Sequence, residues 1–384
     1  MDIPFVYSKY VTGKGNIGRK TEARAIANLL GQGENIVIYE APKTGKTSLV
    51  QQAFFNMKSS GADFVSAGVS LLNVRTLRDL ATRLGSEVLH AAYGSPQDYT
   101  PIVEALLPGT HFVFDPQRYA DCGEILSLNW ELDRDDLRAA LSLPYRAARK
   151  CGRKIYVLLD EFQNIMLTED GDRACRLMEE VFRELDAEDK AAASYIFTGS
   201  KVNAMHEIFG TKKYFFRQAE RVKIGEIDTR EIIDHVIRGL LASGKVIDRD
   251  LLLGVCKLFR NNICYINHFS AICDSLTKGY IMEPILNEAL STIVSIHEPR
   301  FIATMEDLTT FQVSLLRAVL DGQTKFTSSD VIEQYALNSS ANVRRLKDAL
   351  CKKEIITFSD NGVPSVIDPL FEYWARRYYF EMKI

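Results

Sequence analysis

Residues 35–52, NIVIYEAPKTGKTSLVQQ, combine a short apolar run, a glycine-containing turn and a helical pattern, in that order. A strand, a turn and a helix of this kind form a unit of parallel α/β sheets. At such a junction, successive backbone N–H groups and the helix N-terminus can cradle phosphate oxygens. The alternative is a turn that merely caps a helix. In the phosphate-binding motif, the lysine reaches the β- and γ-phosphates and the next hydroxyl is a ligand of Mg²⁺. We expect Lys46 and Thr47 in these roles, within a loop formed by Pro42, Lys43, Thr44, Gly45, Lys46, Thr47 and Ser48.

One position departs from the pattern G-x-x-x-x-G-K-[ST], because Glu40 stands where the first glycine is expected. The donors that wrap a β-phosphate come mostly from Thr44 to Thr47, and Pro42 removes one N–H while it stiffens the turn. A Glu40 carboxylate pointing towards the phosphates would weaken nucleotide binding by about 1 kcal/mol or more. The loop is therefore either a working site, with weak binding or slow turnover, or a relic that no longer binds nucleotide.

A second motif favours the working site. The apolar strand 156–159 runs directly into Asp160 and Glu161. Parallel α/β sheets bind their ligands at the carboxyl ends of the strands. We therefore expect Asp160 to hold Mg²⁺ through water and Glu161 to act as general base on an attacking water. Taken alone, two carboxylates at a strand end are often only solvated; their order after the loop indicates a nucleotide site.

Polar residues near the ends of two further strands are weaker candidates. Thr198 and Ser200 lie at the end of a strand expected at 193–200, where a hydroxyl could sense a γ-phosphate, orient water or cap the next helix. Arg217 and Arg221 could place a guanidinium on a transferring phosphate, or could have a purely structural role.

The order of strands and helices predicts the domain organisation. Apolar strands alternate with helical patterns over residues 1–228, which predicts an α/β fold with a parallel sheet covered on both faces. Within it, the segment 94–131 carries four prolines and little periodicity, so we expect an insertion with little regular structure. Only helical patterns follow in 229–300, which predicts a helical subdomain. Three helices and a hairpin turning at Asp360-Asn361-Gly362 predict a winged helix-turn-helix in 301–384.

Composition restricts the class of protein. With 46% hydrophobic residues and a net charge of −3, the chain is typical of soluble globular proteins and has no overall nucleic-acid-coating surface. No run approaches the roughly 20 apolar residues of a membrane helix, and the N-terminus lacks a signal-peptide pattern. The seven cysteines are scattered without a C-x-x-C pair, and the six histidines show no metal-ligand spacing. We expect a cytoplasmic protein with no membrane partner.

The predicted recognition helix of the winged helix is basic, with Arg344, Arg345 and Lys347 as candidates for contacts to double-stranded DNA. Residues 305–384 as a whole contain ten Lys and Arg against eleven Asp and Glu. Because the helix is basic and its domain is not, protein docking or packing against the chain's own ATPase domain is at least as good an interpretation.

Together these motifs resemble the archaeal-type ATPases, which belong among the signal-transducing (STAND-like) P-loop ATPases related to AAA+ proteins. The resemblance rests on the loop and on the segments VLLDEFQNI, YIFTGSKVNAM, FFRQAERVKIGEI and VIDPLFEYWARRY. It implies a P-loop NTPase sheet of the AAA+ type, a helical lid and a winged helix, with ATP as the nucleotide. It also implies the roles given above for the loop and the acidic pair.

Two segments depart from the pattern of this family. Ser200 matches the serine of the family's GS pair, but Phe216 replaces the glycine that often precedes the arginine found at Arg217. The lid element GxP is replaced by RNNICYI, residues 260–266. The resemblance leaves open whether Arg217 or Arg221 acts within its own subunit or, in an oligomer, across an interface.

Three functional hypotheses follow. The first is an ATPase that acts as a molecular switch, in which Mg²⁺ and ATP or ADP control the position of the winged helix and an unidentified protein or DNA partner reads it. The second is a DNA-binding regulator or initiator-like protein gated by ATP. The third is a nucleotide-free scaffold with a degenerate loop.

Overall fold

The computed structural model of the protein describes residues 5–210, 213–359 and 361–383. The chain forms two compact units. The first, here called the sheet unit, comprises Arg19–Glu40 and Leu49–Ile224. The second, here called the helical unit, comprises Met1–Gly18, Ala41–Ser48 and Gly225–Ile384. Asp360, which belongs to the predicted hairpin turn, lies outside the described residues.

The sheet unit is built on five parallel strands, in the order β2–β5–β6–β1–β7. Because all of them run in one direction, their carboxyl ends meet at one edge of the sheet, where a ligand site is expected. The strands are β1 (Ile36–Tyr39), β2 (Phe64–Ser70), β5 (Lys154–Asp160), β6 (Ala193–Gly199) and β7 (Glu220–Arg221). The apolar pattern RVKIGEI predicts a strand over 221–227, but only the first residue of that segment belongs to β7.

Nine helices accompany this sheet along the chain in the described residues: α1 (Lys20–Gly31), α2 (Lys46–Ser59), α3 (Leu77–Tyr93), α4 (Thr100–Leu106), α5 (Pro116–Cys122), α6 (Arg134–Cys151), α7 (Gly171–Glu184), α8 (Ala187–Ala192) and α9 (Val202–Met205). Alternate residues of each central strand enter two different cores, because side chains of a strand point to opposite faces. In β1, Val37 and Tyr39 join a core with α3, α6 and α7, whereas Ile36 and Ile38 join a core with α1 and α2. Both faces of the central strands are therefore covered, which explains their continuous apolar runs.

The segment 94–131 is more regular than the sequence suggests. It contains α4, α5 and an antiparallel hairpin of β3 (Phe112–Phe114) and β4 (Leu126–Leu128). Contacts from α3 stabilise it: the Ser86 hydroxyl accepts hydrogen bonds from the N–H groups of Ile125 (3.0 Å) and Leu126 (2.9 Å). The expectation of little regular structure is wrong, because these short elements depend on partners that lie far away in the sequence.

In the helical unit, four helices follow the sheet unit in sequence: α10 (Thr229–Ala242), α11 (Arg249–Leu258), α12 (Ile263–Leu276) and α13 (Glu283–Glu306). Two short parallel strands, β8 (Val246–Ile247) and β9 (Tyr280–Ile281), lie between them in the chain. Helix α13 continues past residue 300, where the sequence suggests a change of domain, so the division at 300 stays a prediction.

The C-terminal elements have the order of a winged helix: α14 (Thr310–Leu320), α15 (Ser329–Gln334), α16 (Ser340–Lys352), β10 (Ile356–Phe358), β11 (Pro364–Val366) and α17 (Pro369–Trp374). The two strands pair antiparallel, with Ile356 opposite Val366. No helix in the described part of the chain has the length and apolar character needed to cross a membrane.

One tertiary contact of the 94–131 segment depends on protonation. Asp136, at the start of α6, is 1% exposed and accepts hydrogen bonds from the His111 N–H (2.8 Å) and the His111 Nδ1 (2.9 Å). The hydrogen bond to Asp136, together with the negative charges of Asp136 and Asp133, raises the pKa of His111, although burial opposes this shift.

We therefore predict that His111→Gln destabilises the protein more in acid than in base. Because the folded-state pKa of His111 is raised, its contribution is fully present below the unfolded-state pKa of about 6.5 and is lost as pH rises through the folded-state value. Urea denaturation between about pH 5.5 and 8.5 should show a difference in unfolding free energy that shrinks with increasing pH. A difference that stays constant over this range would contradict the prediction.

Candidate functional site

The loop 41–48 joins β1 to α2 and carries its own internal hydrogen bonds. The carbonyl of Ala41 accepts hydrogen bonds from Lys46 Nζ (2.9 Å) and from the Thr44 hydroxyl (2.9 Å). Lys46 is only 7% exposed. Helix α2 begins at Lys46, so the first N–H groups of this helix lack intrahelical partners and are suited to bind an anion.

The backbone of the loop shows where glycine is required. Gly45 has a φ of +89° and Lys43 a φ of +64°, both in the left-handed region, whereas Glu40 is not among the residues with positive φ. A residue with a side chain therefore fits at position 40 without backbone strain. At Lys43, by contrast, the left-handed backbone conformation costs about 1 kcal/mol or more of folding free energy for a residue other than glycine. Contacts of the loop must offset this cost.

The charge of Glu40 has a cationic neighbour in the sheet unit. Burial lowers the pKa of Arg19, while the nearby carboxylates of Glu22 and Glu40 raise it. Arg19 is therefore close enough to Glu40 to offset part of its negative charge. The N–H of Glu40 donates to the carbonyl of Gly199 (3.4 Å) on the neighbouring strand, which fixes the backbone at this position.

The acidic pair is held by side chains from β6 and from the turn that follows β5. The Thr198 hydroxyl donates to Asp160 Oδ1, and the Ser200 hydroxyl donates to Glu161 Oε2 (2.6 Å). Glu161 has a φ of +54°, an uncommon value for a residue with a side chain. Neither hydroxyl caps α9, whose N-cap residue is Lys201. The structure therefore does not support a capping role for Thr198 or Ser200, and their action on a γ-phosphate or a water stays a prediction.

Gln163 is a residue of this site that the sequence reasoning missed. Its Nε2 donates to the same Glu161 Oε2 that Ser200 contacts, and its side chain is 4% exposed. Its Oε1 is buried and has no hydrogen-bond partner among the described residues. Gly199 leaves room for the Gln163 side chain, because a Cβ at position 199 would lie 2.5 Å from Gln163 Oε1. The only signal in the sequence is an amide within the apolar segment FQNIM.

The two candidate arginines are not brought to the acidic pair. Arg217 is exposed, has a φ of +59°, and its guanidinium lies 5.2 Å from the ring centroid of Phe216. Arg221 lies 4.1 Å from the ring centroid of Tyr39. Neither forms an ion pair with a carboxylate of the described residues, so the catalytic role suggested for Arg217 stays a prediction.

The three basic candidates on α16 differ in their surroundings. Arg344 and Arg345 are exposed and form no ion pair within the described part of the chain. Lys347 is half-buried, and its ammonium lies 4.3 Å from the ring centroid of Phe358 on β10. Lys347 therefore contributes to the packing of the winged helix itself.

Comparison with known proteins supports the fold. Residues 299–377 match the family model of a probable winged helix domain. No curated protein sequence matches the chain significantly. Among solved structures, the Walker-type ATPase PABY2304 of Pyrococcus abyssi is similar, with a TM-score of 0.66, 15% identity, and coverage of 96% of this chain and 99% of that one. The ORC2 protein of Aeropyrum pernix, solved in ADPNP–ADP complexes, gives a TM-score of 0.53 and 15% identity, with 93% of each chain covered.

At these identities the likeness concerns the fold alone. It confirms the predicted α/β architecture with a central parallel sheet and a C-terminal winged helix.

The hydrogen bond between Thr198 and Asp160 generates a stability prediction. Thr198→Val leaves a partly buried carboxylate without this donor, so we expect a loss of about 1–3 kcal/mol in unfolding free energy. The matched control is Ser194→Ala on the same strand. Ser194 is 1% exposed and its hydroxyl has no hydrogen-bond partner among the described residues, so this substitution should be neutral or stabilising. Urea denaturation of both variants measures the difference; equal losses would contradict the assigned role of Thr198.

Proposed function

We propose that this chain, which has the fold of an archaeal Walker-type ATPase with a C-terminal winged helix, binds Mg²⁺ and ATP at the loop 42–48. It hydrolyses ATP slowly and acts as a switch whose output is the position of the winged helix. A protein partner reads that position. Lys46 binds the β- and γ-phosphates, and the N–H groups of Thr44 to Ser48 complete the cradle.

The observation that carries this proposal is the organisation of the acidic pair. Three polar side chains, from Thr198, Ser200 and Gln163, are used to orient Asp160 and Glu161. Such an arrangement fixes the two carboxylates at the carboxyl edge of the sheet, and it suits general-base activation of a water molecule. Glu161 accepts the proton of that water, and Gln163 and Ser200 hold its carboxylate in place.

The residues present also fit a hydrated Mg²⁺ ion. Magnesium prefers hard oxygen ligands and usually keeps several of its waters. Asp160 accepts hydrogen bonds at Oδ1, from the Thr198 hydroxyl and from the N–H of Glu161 (3.1 Å). Its other oxygen, Oδ2, accepts none from the described residues. Its Oδ2 can therefore accept a metal-bound water, with the Thr47 hydroxyl as the second predicted ligand. When bound, Mg²⁺ neutralises charge that develops on the transferring phosphate.

Two features argue against a relic at Glu40. Its backbone conformation demands no glycine, and its charge is partly offset by Arg19. The repulsion between the Glu40 carboxylate and a bound phosphate, which would weaken nucleotide binding by about 1 kcal/mol or more, is thereby reduced.

Calorimetric titration of Mg·ATP into the wild type and into Lys46→Ala tests the proposal. We expect micromolar binding by the wild type and at least a roughly hundredfold loss in the variant, because the ammonium that pairs with the phosphates is removed. The matched control is Lys58→Ala on the same helix, whose ammonium lies 5.3 Å from the ring centroid of Phe64 and should not affect affinity. Equal affinity of the wild type and Lys46→Ala, or no binding to either, would support the nucleotide-free scaffold instead.

A second candidate function is ATP-gated binding of double-stranded DNA. The exposure of Arg344 and Arg345 on α16, without an ion pair to any described residue, favours it. Two lost phosphate contacts should lower the slope of log affinity against log salt by about 2.

The corresponding experiment compares Arg344→Ala/Arg345→Ala with Arg230→Ala/Arg238→Ala, which removes two exposed arginines from α10. We expect a lower salt slope only in the first double variant, measured by fluorescence anisotropy on a labelled duplex. No binding at low salt by the wild type would exclude this function.

A further inference from the structure

The side chain of Lys43 connects the phosphate-binding loop with the rest of the helical unit. Its ammonium lies 5.0 Å from the ring centroid of Tyr265 on α12. Although the residue keeps an exposed surface, partial loss of water around the ammonium lowers its pKa. Lys43 also adopts the left-handed backbone that glycine favours, so a lysine is placed here at an energetic cost.

Several charged and titratable groups surround this contact. Burial is the largest cause of the lowered pKa of Lys43; the negative charge of Asp368 opposes the shift, and the positive charge of Arg300 adds to it. Burial, and then the nearby Lys43, lowers the pKa of His268. Burial, followed by Lys43 and Arg300, lowers the pKa of His297 to about 4.

Hydrogen bonds of Tyr265 connect this contact with the winged helix. Its hydroxyl donates to both oxygens of Asp368 (2.9 and 3.0 Å). Arg300 Nη2 donates to Asp368 Oδ2 (2.8 Å) and to the Tyr265 hydroxyl (3.1 Å). Asp368 in turn is the N-cap of α17, because its Oδ1 accepts hydrogen bonds from the N–H groups of Leu370 (3.0 Å) and Phe371 (3.3 Å). The path from Lys43 to α17 is therefore continuous.

Helix α17 carries a natural reporter of its own packing. Trp374 is 3% exposed, its Nε1 donates to Glu298 Oε1 (3.0 Å), and its ring centroid lies 5.5 Å from that of Phe301 on α13. The chain has only one other tryptophan, Trp130, which is 70% exposed. Replacing Trp130 thus leaves a single fluorophore on the element that the path reaches.

We propose that Lys43 is the residue that reports phosphate binding to the winged helix. In the structure the Lys43 ammonium lies over the ring of Tyr265. A phosphate bound to the loop would offer the ammonium a second position. A cation–π contact contributes about 0.5–2 kcal/mol, whereas charge-assisted hydrogen bonds to phosphate are stronger, so bound nucleotide draws the ammonium from Tyr265. The cluster of Tyr265, Arg300 and Asp368 then rearranges and changes the packing of α17. This inference rests on the proposed function, because it requires nucleotide at the loop.

Tryptophan fluorescence in a Trp130→Phe background tests the inference. Saturating Mg·ATP should shift the emission of Trp374, while calorimetry on the same protein records binding independently. Lys43→Met changes an exposed loop residue, so it should fold normally, and its emission without nucleotide should already resemble that of the ATP-loaded parent. Lys58→Met is the matched control, because it removes a different lysine that contacts an aromatic ring.

Tyr265→Phe separates the path from the site. It keeps the ring under Lys43 but removes the hydroxyl that contacts Asp368, so Mg·ATP should bind within about threefold of the parent affinity while the Trp374 response is lost. Tyr280→Phe, at an exposed tyrosine of the same unit, should respond like the parent.

The outcomes distinguish the two proposals. Nucleotide binding without any change in Trp374 emission, or an unaltered response in both Lys43→Met and Tyr265→Phe, would overturn the inference and leave the proposed function standing. Absence of nucleotide binding by the parent would overturn both.

Discussion

The parallel pairing of β5, β6 and β1 is the constraint on which the rest of the candidate site depends. Tyr39 is paired with Gly199, and Leu159 with Phe197, so the three strands end at the same edge. The acidic pair after β5 is thereby brought to the hydroxyls of Thr198, in β6, and of Ser200, directly after it. The hydrogen bond between Thr198 and Asp160 is a direct result of this neighbouring placement. Had β6 been elsewhere in the sheet, the same residues would be unrelated polar groups at separate strand ends.

Much of this arrangement could be predicted because it is encoded locally. The central strands are buried on both faces, so each is a continuous apolar run, and the winged helix has an element order that short-range patterns reveal. The segment 94–131 could not be predicted, because its hairpin depends on Ser86 and on the close approach of Leu126 to Gly85 of α3. Gln163 was missed for a similar reason. Its partner, Glu161, has a left-handed backbone conformation that no sequence pattern indicates, and the hydrogen bond between the two side chains forms within that turn.

Two unusual residues, Glu40 directly before the loop and Lys43 within it, have different physical consequences. Glu40 replaces a glycine at a position whose backbone needs none, and Arg19 offsets part of its charge, so its effect is electrostatic and small. Lys43 stands at a position whose backbone does favour glycine. A side chain there is retained against a conformational cost, and its contact with Tyr265 places it at the start of a hydrogen-bonded path to α17. In this account the loop both binds phosphate and reports that binding.

The central claim is that the loop still binds nucleotide through its own backbone N–H groups. Hydrogen–deuterium exchange of the peptide containing residues 43–48, with and without Mg·ATP, tests it most directly. The account predicts that Mg·ATP slows exchange at these amides in the wild type, because they donate to phosphate oxygens, and that Lys46→Ala abolishes this protection. Exchange that is unchanged by Mg·ATP in the wild type would contradict the account.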